Sequence, residues 1–223
     1  LGDVYKRQWS LESKIFPMLN DSTNMTRMAG KYYTLEEARE LTEFCKAHQV
    51  LLIPEIDMPG HSAAFIRTFR HDMQSPEGMK ILKLLLDEIC ETFDVPYLHI
   101  GTDEVHFTNP QFVPEMVAYV RDKGKKVISW NPGWKYKAGE IDMMQLWSYR
   151  GKAQQGIPAI DSRKYSASQS TVPKKSKSID LRCPNCKASA VPPTNLVCSS
   201  TGNRCSFFRS SRVEDSTVSR YSI

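Results

Sequence analysis

The chain has 223 residues, 40% hydrophobic and 25% charged, with a formal net charge of +5. No apolar run approaches the roughly 18 residues of a membrane span, and residues 1–8 lack the apolar core and cleavage site of a secretory signal. Of the 30 basic and 25 acidic residues, 11 and 3 fall in 163–223, leaving 19 and 22 ahead of them. The positive charge therefore belongs to the tail and gives no reason to expect a nucleic-acid partner for the front part.

In chain order, Thr34 and Glu37 form a capping-box pattern, and Leu35, Ala38, Leu41 and Cys45 follow at helical spacing, predicting a helix to about His48. Val50 to Pro54 is a short apolar run expected of a buried strand. Ser75-Pro76-Glu77 opens a helix continued by Ile81, Leu84, Leu85, Glu88 and Ile89. Strands are predicted at Tyr97–Ile100, Val127–Trp130, Met143–Trp147 and Ile157–Ile160. A helix over about Gln111–Lys123 stops at Gly124.

Strands separated by helices imply parallel pairing, which both a doubly wound sheet and a (β/α)8 barrel satisfy. No Gly-x-Gly-x-x-Gly follows a strand, which removes the main support for a dinucleotide fold. Polar and aromatic residues recur at strand C-terminal ends: Glu55 and Asp57, His99 to Glu104, Trp130 and Trp147. That recurrence is what the catalytic face of a barrel requires. The roughly 150 residues of the front part are too few for a whole barrel of about 250, so a partial TIM barrel is expected. The expected division is a barrel-derived domain at 9–162 and a basic, Ser- and Lys-rich, Cys-containing tail at 163–223 that is non-homologous to it and too polar to fold. The start reads as lying inside a domain, and residues 1–8 and 218–223 as foreign to it. An open barrel leaves unpaired strand edges, which predicts a piece of low stability or lost turnover.

Two constellations carry chemistry. In His99-Ile-Gly-Thr-Asp-Glu104, small residues allow close backbone approach, and Asp103 and Glu104 are contiguous. Neighbours in extended chain point in different directions, so the pair is poorly arranged to flank a glycosidic bond as nucleophile and acid. In Pro54-Glu-Ile-Asp-Met-Pro-Gly-His61, two prolines and a glycine fix a loop that holds Glu55, Asp57 and His61.

Together these segments resemble the family 20 glycoside hydrolases, the β-N-acetylhexosaminidases, over about Trp9 to Asp161. Trp9-Ser-Leu-Glu12, Phe16-Pro17 and Gly30-Lys-Tyr-Tyr-Thr34 resemble the stretch before the family's second helix. Pro54 to His61 is similar to its signature loop. His99 to Glu104 is similar to its His-x-Gly-Gly-Asp-Glu motif, with Thr102 in place of the second glycine.

The resemblance implies a retaining, substrate-assisted mechanism without a cofactor or metal, acting on carbohydrate with a terminal N-acetylhexosamine. Glu104 is then the general acid, which requires that it hold its proton near working pH. Asp103 orients the substrate acetamide, and His61 sits behind Glu104. Trp130 and Trp147 form aromatic walls, with Asp57 and His99 in support. The family's acidic partner for the loop histidine is not identifiable in the sequence. After Trp130 the family's acidic residues are replaced by Asn131-Pro132, and the expected residues of its last strands are absent past Asp161.

Two other readings stand beside this one, the first on the tail cysteines and the second on residues of the same site. Cys183, Cys186, Cys198 and Cys205 could form a four-thiolate zinc ribbon that binds nucleic acid. His61, His99, Asp103, Glu104 and His106 could form a metal-dependent hydrolase site on a barrel. Compartment, oligomeric state and the choice between gluco- and galacto-configured sugars are open.

Overall fold

The computed structural model describes residues 9–26, 28–163, 195–198 and 205–208. Five strands form a parallel sheet in sequential order: β1 (Glu55–Met58), β2 (Tyr97–Gly101), β3 (Lys126–Asn131), β4 (Met143–Leu146) and β5 (Ala159–Asp161). Helix α1 (Leu35–Ala47) precedes β1, α2 (Ala63–Phe69) and α3 (Pro76–Thr92) lie in the β1–β2 crossover, and α4 (Phe112–Asp122) lies in the β2–β3 crossover. This is a partial (β/α)8 barrel. Two further strands, β6 (Asn195–Cys198) and β7 (Cys205–Phe208), pair antiparallel with Cys198 opposite Cys205. Cys183 and Cys186 lie outside the described residues, as does most of the stretch read as an unfolded tail.

Helix α1 begins as its sequence dictates. The Thr34 hydroxyl accepts from the Glu37 amide at 3.1 Å, and the Glu37 carboxylate accepts from the Thr34 amide at 2.8 Å. In α3 the Ser75 hydroxyl accepts from the Gly78 amide at 3.0 Å. Glu88, on the buried side of α3, accepts from the Ser13 hydroxyl and the Lys14 amide, both at 2.6 Å. A buried carboxylate thus ties the first described segment to the helix layer, a role its helical spacing did not reveal.

Two strand expectations are corrected. The apolar run at 50–54 is buried at Leu52 and Ile53, yet the ladder begins only at Glu55. The Pro54 carbonyl accepts from the His99 amide at 2.9 Å, but Pro54 has no backbone donor and so cannot extend the pairing backward. Likewise the last strand starts at Ala159 rather than Ile157, after Pro158 accepts from the Met144 amide. Helix α2 was not expected at all.

Side-chain alternation sorts the sheet into two faces. Leu98 and Ile100 of β2 join the large core with Leu82, Leu85 and Leu86 of α3 and Val113, Met116 and Val120 of α4. Tyr97 packs instead with Ile53 and Ile128 in a small second cluster. His99 and Gly101 share Tyr97's parity, so β2 carries its polar end toward the face away from the helices.

Candidate active site

Glu55 and Asp57, two residues apart on β1, point to one side of it. Glu55 stands in register with His99, and its Oε1 accepts from the Trp130 indole N–H at 2.8 Å. The Trp130 ring lies against the His99 ring with centroids 4.5 Å apart. The Gly101 amide donates to His99 Nδ1 at 3.1 Å, which places the His99 proton on Nε2. Glu55, His99 and Trp130 therefore form one cluster across three strands, with Glu55 and His99 buried and Trp130 partly so.

The loop after β1 approaches the end of β2 closely. A side chain at Gly60 would put its Cβ 2.8 Å from the Asp103 carbonyl oxygen, and one at Gly101 would meet Asp57 Oδ1 at 2.0 Å. Only glycine permits both approaches. His61, at φ 50°, is turned back by the loop so that Nδ1 lies 2.7 Å from Asp57 Oδ2. Its Nε2 lies 3.3 Å from Glu104 Oε2, and Asp103 Oδ1 is 3.9 Å from Nδ1. The acidic partner of the loop histidine, not identified from sequence, is Asp57.

The expected extended chain at Asp103 and Glu104 is also corrected. Thr102 and Glu104 both occupy the left-handed region, at φ 80° and 49°. This reversal sends the two carboxylates into different surroundings. The Asp103 side chain is 3% exposed and the Glu104 side chain 49%.

Glu104 opens onto a cavity of about 320 Å³, within the range of small-ligand sites, lined also by Thr102, Val105, Phe107, Pro132 and Trp147. The Trp147 indole N–H donates to the Pro132 carbonyl at 2.9 Å, which fixes the ring in the wall. Ser148 and Arg150 complete the rim and had no role from sequence. The lining does not include Asp103, His61 or Trp130.

The His61 ring links two carboxylates, and its protonation rules are restrictive. With Nδ1–H donating to Asp57, a neutral ring can only accept at Nε2. Glu104 can then meet it only as the protonated acid; an ionised Glu104 at that distance calls for imidazolium. A ring set between two carboxylates in this way suits acid–base work at the cavity.

Asp57, His61 and Asp103 each offer a ligand atom, all within 4.8 Å of one another. In the metal-dependent alternative His99 and His106 also take part. The structure instead faces His99 Nδ1 with the Gly101 amide and leaves His106 exposed.

Against known proteins, a family model for the glycosyl hydrolase family 20 catalytic domain matches residues 4–75. Over that stretch the chain is similar to the glycosyl hydrolase family 20 catalytic domain. The family 20 match starts inside the 1–8 segment that the sequence set apart, includes the Pro54–His61 loop, and stops before Asp103. A β-hexosaminidase from Vibrio furnissii is 30% identical over 133 residues, covering 44% of this chain and 22% of that protein. A lacto-N-biosidase from Bifidobacterium bifidum is 24% identical over 174 residues, covering 60% of this chain and 16% of that protein. The chain thus spans about a fifth of the length of the curated relatives it matches. In fold it resembles the family 20 β-N-acetylhexosaminidase of Streptomyces coelicolor, with a TM-score of 0.59 at 21% identity, over 71% of this chain and 40% of that one. The Bacteroides fragilis β-N-acetylhexosaminidase gives a TM-score of 0.55 at 23% identity, over 65% and 37%.

Proposed function

We propose that this chain belongs to an enzyme that removes terminal N-acetylhexosamine residues from glycoconjugates by substrate-assisted, retaining hydrolysis. The observation that carries the reading is the divergence of two contiguous carboxylates, Asp103 buried and Glu104 facing a cavity, joined through one histidine. An ordinary retaining site needs a nucleophile and an acid about 5 Å apart across the bond, which sequence neighbours do not supply. When the substrate's own acetamide oxygen attacks the anomeric carbon, no protein nucleophile is needed.

In this reading Glu104 protonates the departing glycosidic oxygen, and the resulting carboxylate then takes a proton from the water that opens the cyclic intermediate. The His61 ring, anchored by Asp57, exchanges that proton with Glu104. Asp103 accepts from the acetamide N–H, turning the carbonyl oxygen toward the anomeric carbon and balancing the positive charge that forms. Trp147 gives the pyranose an aromatic face, and Trp130, with His99 and Glu55, supports the strand ends beneath. We assign these roles to residues 9–162 and treat 163–223 as a separate segment.

The test is hydrolysis of 4-nitrophenyl N-acetyl-β-glucosaminide and of its galacto epimer, with the anomer of the first-formed sugar read by NMR. Release of the β-anomer supports the mechanism. Release of the α-anomer excludes it.

A further inference from the structure

Thr102 stands where the resembling motif has glycine, and it is a β-branched residue at φ 80°, a conformation such residues rarely adopt. A fully matched set of hydroxyls surrounds it. Thr102 Oγ1 lies 2.6 Å from Ser129 Oγ; Ser129 donates to the Gly101 carbonyl at 2.9 Å and accepts from the Tyr136 hydroxyl at 2.9 Å. Because the Ser129 proton goes to Gly101, Thr102 must donate to Ser129, and its oxygen then accepts the Trp134 amide at 3.4 Å. All three hydroxyl residues are buried. The cluster joins the end of β2, the middle of β3 and the loop that supplies Pro132 to the cavity wall.

We propose that Thr102 is a positioning residue: the Ser129–Tyr136 hydroxyl pair holds it in the left-handed conformation and thereby sets the divergent directions of Asp103 and Glu104. The inference rests on the acid role given to Glu104 above. A threonine freed of these bonds relaxes toward ordinary backbone angles, and the next two side chains turn with it. A residue that merely fills space makes a different forecast. For packing alone, Thr102→Val, which keeps the shape, outranks Thr102→Gly, which leaves a void. For positioning, Thr102→Ser keeps the bond, Thr102→Gly adopts the angle without it, and Thr102→Val has neither.

The experiment uses the full chain and two readouts. The first is the ¹⁵N signal of His61 Nε2, which faces Glu104 at 3.3 Å. Thr102→Ser should match the unsubstituted chain, and Thr102→Val should match Glu104→Ala. The second is turnover of 4-nitrophenyl N-acetyl-β-glucosaminide. There kcat should fall about 100-fold in Thr102→Val with KM little changed, less in Thr102→Gly, and hardly at all in Thr102→Ser. An unchanged His61 signal in Thr102→Val, or Val outranking Gly, overturns the proposal. If Thr102→Val fails to fold, Tyr136→Phe must shift the same signal in the same direction, and no shift overturns it equally. A chain without turnover counts against the hexosaminidase reading alone, since the His61 signal decides the positioning question by itself.

Discussion

Replacing Gly101 with alanine tests whether the two loops are joined as tightly as their geometry states. The new Cβ would lie 2.0 Å from Asp57 Oδ1 and 2.7 Å from both Asp57 Cα and Cγ. Asp57 cannot swing aside, because it is buried and holds His61 at 2.7 Å. Two penalties add. Gly101 sits at φ 69°, where an L side chain costs about 1–2 kcal/mol, and overpacking a filled site costs a further ~1–3 kcal/mol. The expected loss is about 2–5 kcal/mol, a large part of an ordinary domain's stability. Gly124→Ala separates the penalties, since Gly124 has φ 76° but nothing within 4 Å of its Cβ position. That variant should lose only the conformational part, about 1–2 kcal/mol. Urea unfolding of both, read by circular dichroism at matched m-values, gives the difference directly. Equal losses in the two variants would refute the claimed contact with Asp57.

Three further outcomes follow from named groups. Burial pushes the Tyr136 hydroxyl up to about 12, against about 10 in an unfolded chain, so the native state keeps its proton longer. Its contribution is complete below pH 10 and is lost as pH rises to about 12, up to roughly 3 kcal/mol; Tyr136→Phe should flatten that alkaline slope in pH-dependent unfolding. Glu104→Gln should lower turnover of an N-acetylglucosaminide by at least about 100-fold while preserving sugar binding, measured by titration of N-acetylglucosamine; full activity in this variant would remove Glu104 as the acid. Burial also raises the Cys90 thiol to about 11, and Cys45 is buried, so peptide mapping after iodoacetamide at pH 8 should find both largely unmodified until urea is added.

The sequence was most informative where structure is local. The α1 capping box, the Ser75 cap of α3 and the stop at Gly124 each depend on contacts within four residues, and strands β2 to β4 fall where short apolar runs placed them. Both displaced strand starts trace to a proline whose missing donor outweighs the hydrophobicity around it. The site was legible in composition but not in wiring. His61 pairs with Asp57 only because the loop turns it at φ 50°, and the Thr102–Ser129–Tyr136 cluster joins residues 27 and 7 positions apart through three different segments. No periodicity marks either arrangement.

The left-handed turns at Thr102 and Glu104 answer a problem that contiguity creates. Two adjacent carboxylates on a regular strand would alternate across the sheet, one toward the helices, where a charge has no compensation. Turning the chain after Gly101 keeps both within 4 Å of the His61 ring while separating their exposure, 3% against 49%. Different exposure gives the two groups different chemistry. In the proposed mechanism the buried carboxylate is fixed in direction, and the open one meets the leaving group and then water. In the same proposal His61 makes the division workable, because one ring anchored on Asp57 at 2.7 Å and 3.3 Å from Glu104 offers that acid a place from which to recover its proton. The glycines at 60 and 101 are needed for the same end, since they let the two loops close to the distance one imidazole can bridge.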